Sequence, residues 1–138
     1  MTLPTTPTPT PALRLLDADI LIDVQRGHSP AVAWYTSLPV YPTVPGLIIM
    51  ELMQDARNKR EVEQALRLVK PLPVAWPTNG DCERALQDFH MLHLSHSLGL
   101  IDSLVAAIAI GLGATLCTFN VKHYRAVAGL VTEQPYRR

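Results

Sequence analysis

The sequence predicts an α/β fold in which helices cover both faces of a parallel sheet, and three observations predict it. Short apolar runs alternate with longer amphipathic segments, the order expected of parallel strands joined by helical crossovers. Leu100 to Ile110 is apolar almost all round, as a helix buried on every side must be. After a break at Gly113, the short strand Ala114 to Cys117 leaves through the polar exit Thr118-Phe119-Asn120. In parallel sheets such exits, at the carboxyl ends of strands, line the ligand crevice.

The bulk numbers agree with one domain. A chain of 138 residues is near the commonest domain size and can bury a core without staples. Apolar residues make up 48% and aromatics only 6%, so Leu, Ile, Val and Ala must build that core. The formal net charge is zero, which argues against holding nucleic acid by bulk positive charge and leaves a local basic patch or a bound metal for that task. Cys82 and Cys117 lack partners at metal-ligand spacing and read as small buried thiols in a reducing, cytoplasmic setting. No apolar run approaches the ~20 residues of a membrane span. The first residues carry neither a basic start nor an apolar run of the kind a secretory signal needs.

Residues 1–12 alternate Pro and Thr, which blocks helix and ladder alike, and read as a flexible tail before a single domain over 13–138. Leu13 to Leu16 reads as a buried strand that passes at Asp17 into a helix with Ile20, Leu21 and Val24 on one face. Ser29 and Pro30 read as cap and first turn of a helix to Leu38. Val40 to Val44 reads as a strand, and Pro45-Gly46 opens a helix carrying Glu51. Arg57 to Lys70 is an amphipathic helix with Val62, Ala65, Leu66 and Val69 inward, stopped by Pro71. Leu72 to Trp76 reads as the third strand. Asn79 to Leu94 reads as a helix with Cys82, Ala85, Leu86 and Phe89 inward, followed by a loop over Ser95 to Gly99. His90, His93 and His96 have helical spacing but no fourth ligand or fixed geometry, so solvated or capping histidines are the simpler reading. A helical turn at Val121 to Tyr124 and a last extended piece at Val127 to Val131 complete the chain.

Three acids stand where this order puts the crevice. Asp17 follows the first strand, Glu51 interrupts an apolar helix, and Asp102 is the only charged residue between Ser97 and Val121. Taken singly, each has an ordinary explanation: Asp17 as a helix cap, Glu51 at the border of a buried stripe, Asp102 at a helix entrance. Gathered in one crevice they repel each other unless a cation lies between them. Mg²⁺, or Mn²⁺, suits oxygen ligands, polarises phosphate oxygens and lowers the pKa of bound water.

The stretches Leu15 to Asp23, Val44 to Leu52, Leu94 to Ala107 and Thr118 to Tyr124, in this order and at these separations, resemble PIN-domain ribonucleases, especially VapC-type toxins of bacterial toxin–antitoxin pairs. The resemblance implies a three-layer α/β/α sandwich with a central parallel sheet and a metal-dependent endoribonuclease. Asp17, Glu51 and Asp102 match the family's first three acids. Asp17 and Asp102 would hold the metal directly, with Glu51 close by or acting through water. Asn120 stands at the family's variable fourth acidic position, where it can orient water or phosphate but adds no charge. Asp19 adds an acid at the rim where many relatives carry Asn. The resemblance also implies a homodimer and a cognate antitoxin whose tail blocks the crevice.

Rival readings remain open at this stage. A catalytically degenerate PIN-like binding domain would keep the same pattern. Asp17-Ala18-Asp19 after a strand also resembles the start of haloacid-dehalogenase-type phosphatases, but no convincing Lys precedes a later acidic pair. A receiver-like module would need an Asp at the end of a central strand and a Lys at a late one; the third strand ends at Pro77-Thr78 with neither.

Overall fold

Five short strands run parallel through the centre of the computed structural model, which describes residues 13–138. The tail expected over 1–12 lies outside the described residues. In chain order the elements are β1 (Arg14–Leu16), α1 (Ala18–Gln25), α2 (Ser29–Ser37), β2 (Val44–Pro45), α3 (Gly46–Asp55) and α4 (Lys59–Val69). They continue with β3 (Val74–Ala75), α5 (Asn79–His96), α6 (Leu100–Leu112), β4 (Thr115–Cys117), α7 (Val121–Tyr124) and β5 (Thr132–Glu133).

β1 pairs with β4, β4 with β5, and β2 with β3. A parallel bridge between Leu15 and Thr43 joins the two sets, with Leu16 N–H donating to the Thr43 carbonyl at 3.0 Å and Thr43 N–H to that of Arg14 at 2.8 Å. The strand order is therefore β3-β2-β1-β4-β5. From β1 the chain first steps one way, to β2 and β3, then returns to the other side of β1 as β4. Right-handed crossovers in opposite directions put their helices on opposite faces. Accordingly α1 packs with α2, α3 and α4, while α5 packs with α6. The expected α/β/α sandwich is the result, and its switch point lies between β1 and β4, where such folds form their crevice.

The central strands are buried on both faces: Leu15, Leu16, Leu116 and Cys117 have no exposed surface. Ile20, Leu21 and Ile48 pack from one side; Val105, Ala106 and Ala109 of α6 belong to the same core. Alanines on α6 leave room for close helix–sheet approach, and truncating a filler such as Leu116 to Ala costs ~2–5 kcal/mol. At the chain's end Tyr136 and Arg138 both bond the Asp23 carboxylate on α1, at 2.7 Å from the hydroxyl and 3.1 Å from each guanidinium contact. The Tyr136 ring stands edge-on to Phe119, and Arg138 lies over the same ring.

Several element expectations need correction. The last strand is β5 at Thr132–Glu133, not Val127 to Val131, because Gly129 turns the chain with φ +83° and Val127 packs into the core. β2 begins at Val44, since Pro42 has no N–H for a ladder, and Val40 and Tyr41 are exposed. Ser29 is the first residue of α2 rather than its cap, which is His28. α5 continues to His96, two residues into the expected loop, and ends where Ser97 adopts φ +57°. Cys82 and Leu86 of α5 and Leu66 of α4 face out, Leu86 at 69% exposure. α5 presents only the narrow stripe of Ala85, Phe89 and Leu92 to the interior, with Arg84 beside it reaching the Ala128 carbonyl.

Candidate active site

Asp17 and Asp102 meet at the carboxyl end of the sheet, and local structure explains how each arrives. Asp17 leaves β1 in extended conformation and caps α1, its Oδ1 accepting from Ala18 N–H at 2.8 Å. That orients Oδ2 toward β4, where it accepts the Thr118 hydroxyl at 2.8 Å and the Tyr124 hydroxyl at 3.1 Å. Thr118 is held in turn by Asn120 N–H, which donates to its Oγ1 at 3.0 Å. Asp102, in the first turn of α6, takes Gly99 N–H on Oδ2 at 3.1 Å and the Tyr124 hydroxyl on Oδ1 at 3.2 Å. A Cβ at position 99 would lie 2.9 Å from Asp102 Oδ2, so Gly99 permits this approach. Both acids are thus caps and crevice groups at once: one oxygen serves the helix and the other faces the crevice.

The electrostatics is that of acid crowding. Asp17 is only 5% exposed, and burial holds its pKa above the usual carboxylate range, with Asp102 adding to the rise against the hydrogen bonds of Thr118, Ala18 and Tyr124. Glu51, half-buried on α3, has its pKa raised by burial, then by the charges of Asp17, Asp102 and Asp55, and it makes no hydrogen bond to either of the first two. Asp19 is pushed up to about 6 by burial and by Asp17, while its Oδ2 accepts Phe119 N–H at 2.7 Å. Burial and the two aspartates drive the Tyr124 phenol far up, so it stays protonated and donates. The nearest candidate cation is His123, whose Nδ1 stands 3.7 Å from Asp102 Oδ2.

Sequence reasoning names Asp17, Glu51, Asp102 and Asn120. The fold brings Asp17 and Asp102 onto one hydroxyl and puts Glu51 within their field. Asn120 is exposed at the start of α7, where its side chain makes no capping bond. Tyr124 and Thr118 are the groups that sequence reasoning left without a role. Tyr124 lies inside the Thr118 to Tyr124 stretch, and a buried tyrosine needs a polar partner for its hydroxyl, which was the available signal. The three histidines go elsewhere: His90 is exposed, His93 pairs with the Leu98 carbonyl and His96 with Ser95.

An all-oxygen donor set that resists ionisation for want of a counter-charge fits a hard divalent cation. Among the described residues no three His, Cys, Asp or Glu side chains converge closely enough to cage an ion as they stand. The fit is therefore to an ion that keeps several waters, as Mg²⁺ does, with Asp17 and Asp102 as the close pair. A separate hollow of about 530 Å³ opens between α1, α3 and α4, lined by Ile22, Arg26, Leu52, Asp55 and Arg57 among others; it contains none of the four candidate residues.

The family model of the PIN domain matches residues 14–129. The chain belongs to the PIN domain family. No curated protein matches this PIN domain by sequence. Among solved structures it resembles a toxin–antitoxin complex from Klebsiella pneumoniae at 22% identity and TM-score 0.72, covering 91% of this chain and 99% of that one. It also resembles VapBC-1 from nontypeable Haemophilus influenzae at 20% identity and TM-score 0.74, covering 88% and 96%. A third is VapC20 of Mycobacterium tuberculosis, described as a sarcin-ricin loop cleaving toxin, at 13% identity and TM-score 0.67, covering 83% and 95%. At these identities the likeness is one of fold. The PIN domain also has no helix long and apolar enough to cross a membrane among its described residues.

Proposed function

We propose that this PIN domain is a metal-dependent endoribonuclease of the VapC type, the toxin of a toxin–antitoxin pair. The observation that carries the reading is the pair Asp17–Asp102, which shares one tyrosine hydroxyl at the switch point of the sheet, with no Lys or Arg among the described residues paired to either acid. In this reading Asp17 and Asp102 hold Mg²⁺, or Mn²⁺, and Glu51 holds it directly or through a water. The bound ion would supply Lewis-acid polarisation of a phosphate oxygen and a water of lowered pKa. Thr118 and Tyr124 keep the Asp17 carboxylate aimed into the crevice. Glu51, raised by its surroundings, is suited to accept a proton from the attacking water. Asn120, at the exit of β4, would orient water or the phosphate in this reading, and it brings no charge for a second ion.

The likeness to a toxin–antitoxin complex and to VapBC-1 supports a cognate antitoxin as this protein's partner, and a homodimeric toxin is part of the same reading. Two free cysteines support action in the reducing cytoplasm. The deciding experiment is cleavage of RNA in Mg²⁺, in Mn²⁺ and in EDTA, with Asp102→Asn alongside. Metal-dependent cutting by the parent and none by the variant is expected; cutting that survives EDTA would overturn the metal, and equal cutting by the variant would overturn the site. A second reading, a degenerate PIN domain that binds RNA or protein without cutting, is favoured by the neutral Asn120 and by the lack of a ready three-ligand cage. It predicts binding with no cleavage in any metal.

A further inference from the structure

We infer that the cavity between the end of α5 and the outer face of α7 binds a backbone phosphate of RNA next to the one being cut; this rests on the nuclease reading. The cavity, about 220 Å³, is lined by Ser95, His96, Ser97, Lys122, His123 and Arg125. No acidic residue lines it, in a chain whose formal charge is zero. Among the described residues four arginines are answered by carboxylates, Arg57 by Glu61, Arg84 by Asp88, Arg138 by Asp23 and Arg14 by Glu133, while Arg26, Arg60, Arg67 and Arg137 enter no such pair. Lys122 and Arg125 enter none of these pairs.

The position connects this cavity to the acids. α7 is a single turn that turns Tyr124 inward, to Asp17 and Asp102, and leaves Lys122, His123 and Arg125 exposed. His123 belongs to both places, as a wall of the cavity and 3.7 Å from Asp102. A basic residue such as His96 could be answered by the partial negative charge at the end of α5 alone. Lys122 and Arg125 come from a different element, and both turn exposed charge to the same cavity. Ser95 and His96 bond each other, and Ser95 also donates to the Met91 carbonyl, so the lining offers chiefly a planar guanidinium, a mobile ammonium and the Ser97 hydroxyl, donors matched to the oxygens of a phosphodiester. An acidic crevice repels RNA until its ion is bound, so a basic cavity beside it gives the strand an anchor that the acids cannot provide.

The test uses the full chain and a short fluorescein-labelled single-stranded RNA of mixed sequence. Binding is followed by anisotropy across a salt series in EDTA, and cleavage in Mg²⁺, for the parent and for the double variant Lys122→Gln/Arg125→Gln. Both positions are exposed, so the unfolding midpoint should not move. The variant should bind about tenfold more weakly, with log K falling less steeply against log salt by about 0.7 for the lost phosphate contact. In cleavage KM should rise while kcat changes little. Equal binding and equal salt slopes in parent and variant would overturn the phosphate site, and would leave the nuclease reading intact if both still cut. A parent that binds through these residues but never cuts would support the cavity and overturn the nuclease. A variant that loses kcat at unchanged KM would overturn the anchoring role.

Discussion

Tyr124 donates its hydroxyl to Asp17 at 3.1 Å from a helical turn 107 residues further along the chain. The same hydroxyl lies 3.2 Å from Asp102, yet it has one proton to give. At any moment one of the two carboxylates lacks that bond. The crevice is thus left wanting positive charge, and a bound proton or a cation can supply it.

Removing the hydroxyl should make that want larger. Tyr124→Phe keeps the ring in the core and is expected to lower stability in EDTA by about 1–3 kcal/mol, since buried acceptors lose their donor. Divalent metal should recover part of the loss. Urea unfolding in EDTA and in Mg²⁺ checks this, and an unchanged midpoint in EDTA would mean that water replaces the hydroxyl.

Removing a carboxylate should do the reverse. Asp102→Asn keeps an oxygen for Gly99 N–H, so the capping loss is no more than ~1 kcal/mol, and relief of repulsion on Asp17 opposes it. RNA cleavage should fall by at least about 10²-fold and the metal-induced rise in midpoint should shrink. Asp17→Asn is the matched variant. Glu63→Gln, on the exposed side of α4, is the control, because Asp23 is tied to Tyr136 and Arg138 and is not a neutral site.

The pH dependence follows from Asp19, whose carboxyl titrates near 6 in the folded protein against 3.8 for the free group. Between these values the folded state binds more protons than the unfolded one, so stability should fall as pH rises from about 4 to about 6. The raised Asp17 and Glu51 act in the same direction. Mg²⁺ should therefore raise the midpoint more at pH 7 than at pH 5, where protons already quench the repulsion. Calorimetry at the two pH values reads it; an equal rise at both would show that the ion does not compete with these protons.

The C-terminal clasp has the opposite sign. Burial works against Asp23, but the Arg138 and Tyr136 hydrogen bonds outweigh it and hold its pKa below the usual value. Its contribution is present at neutral pH and is lost as pH falls below the ordinary carboxylate range. Arg138→Ala should cost roughly 1–2 kcal/mol, between the values for exposed and buried pairs, and Asp23→Asn in the same background should add little. A double-mutant cycle measures the coupling, and additive losses would show that the pair contributes nothing jointly.

The sequence by itself determined the layered α/β class and singled out Asp17 and Asp102, which the fold brings onto one hydroxyl. Alternation of apolar strands with helices is a local signal, and a lone charge in an apolar helix, such as Asp102, is conspicuous wherever it lies. It also determined that Asp17 and Asp102 suit helix starts, since capping depends on neighbours in the chain. Where β5 lies was misread, because an apolar run does not show that Gly129 will turn it. The outward Cys82 and Leu86 were misread because helical spacing gives a stripe's direction but not its width. Only the tertiary structure decided that Thr118 and Tyr124 would hold Asp17, and that the turn bearing Lys122 would bring His123 to Asp102. Those relations join residues far apart in the chain through the return of β4 to the side of β1, and no periodicity along the sequence encodes a meeting that depends on strand order.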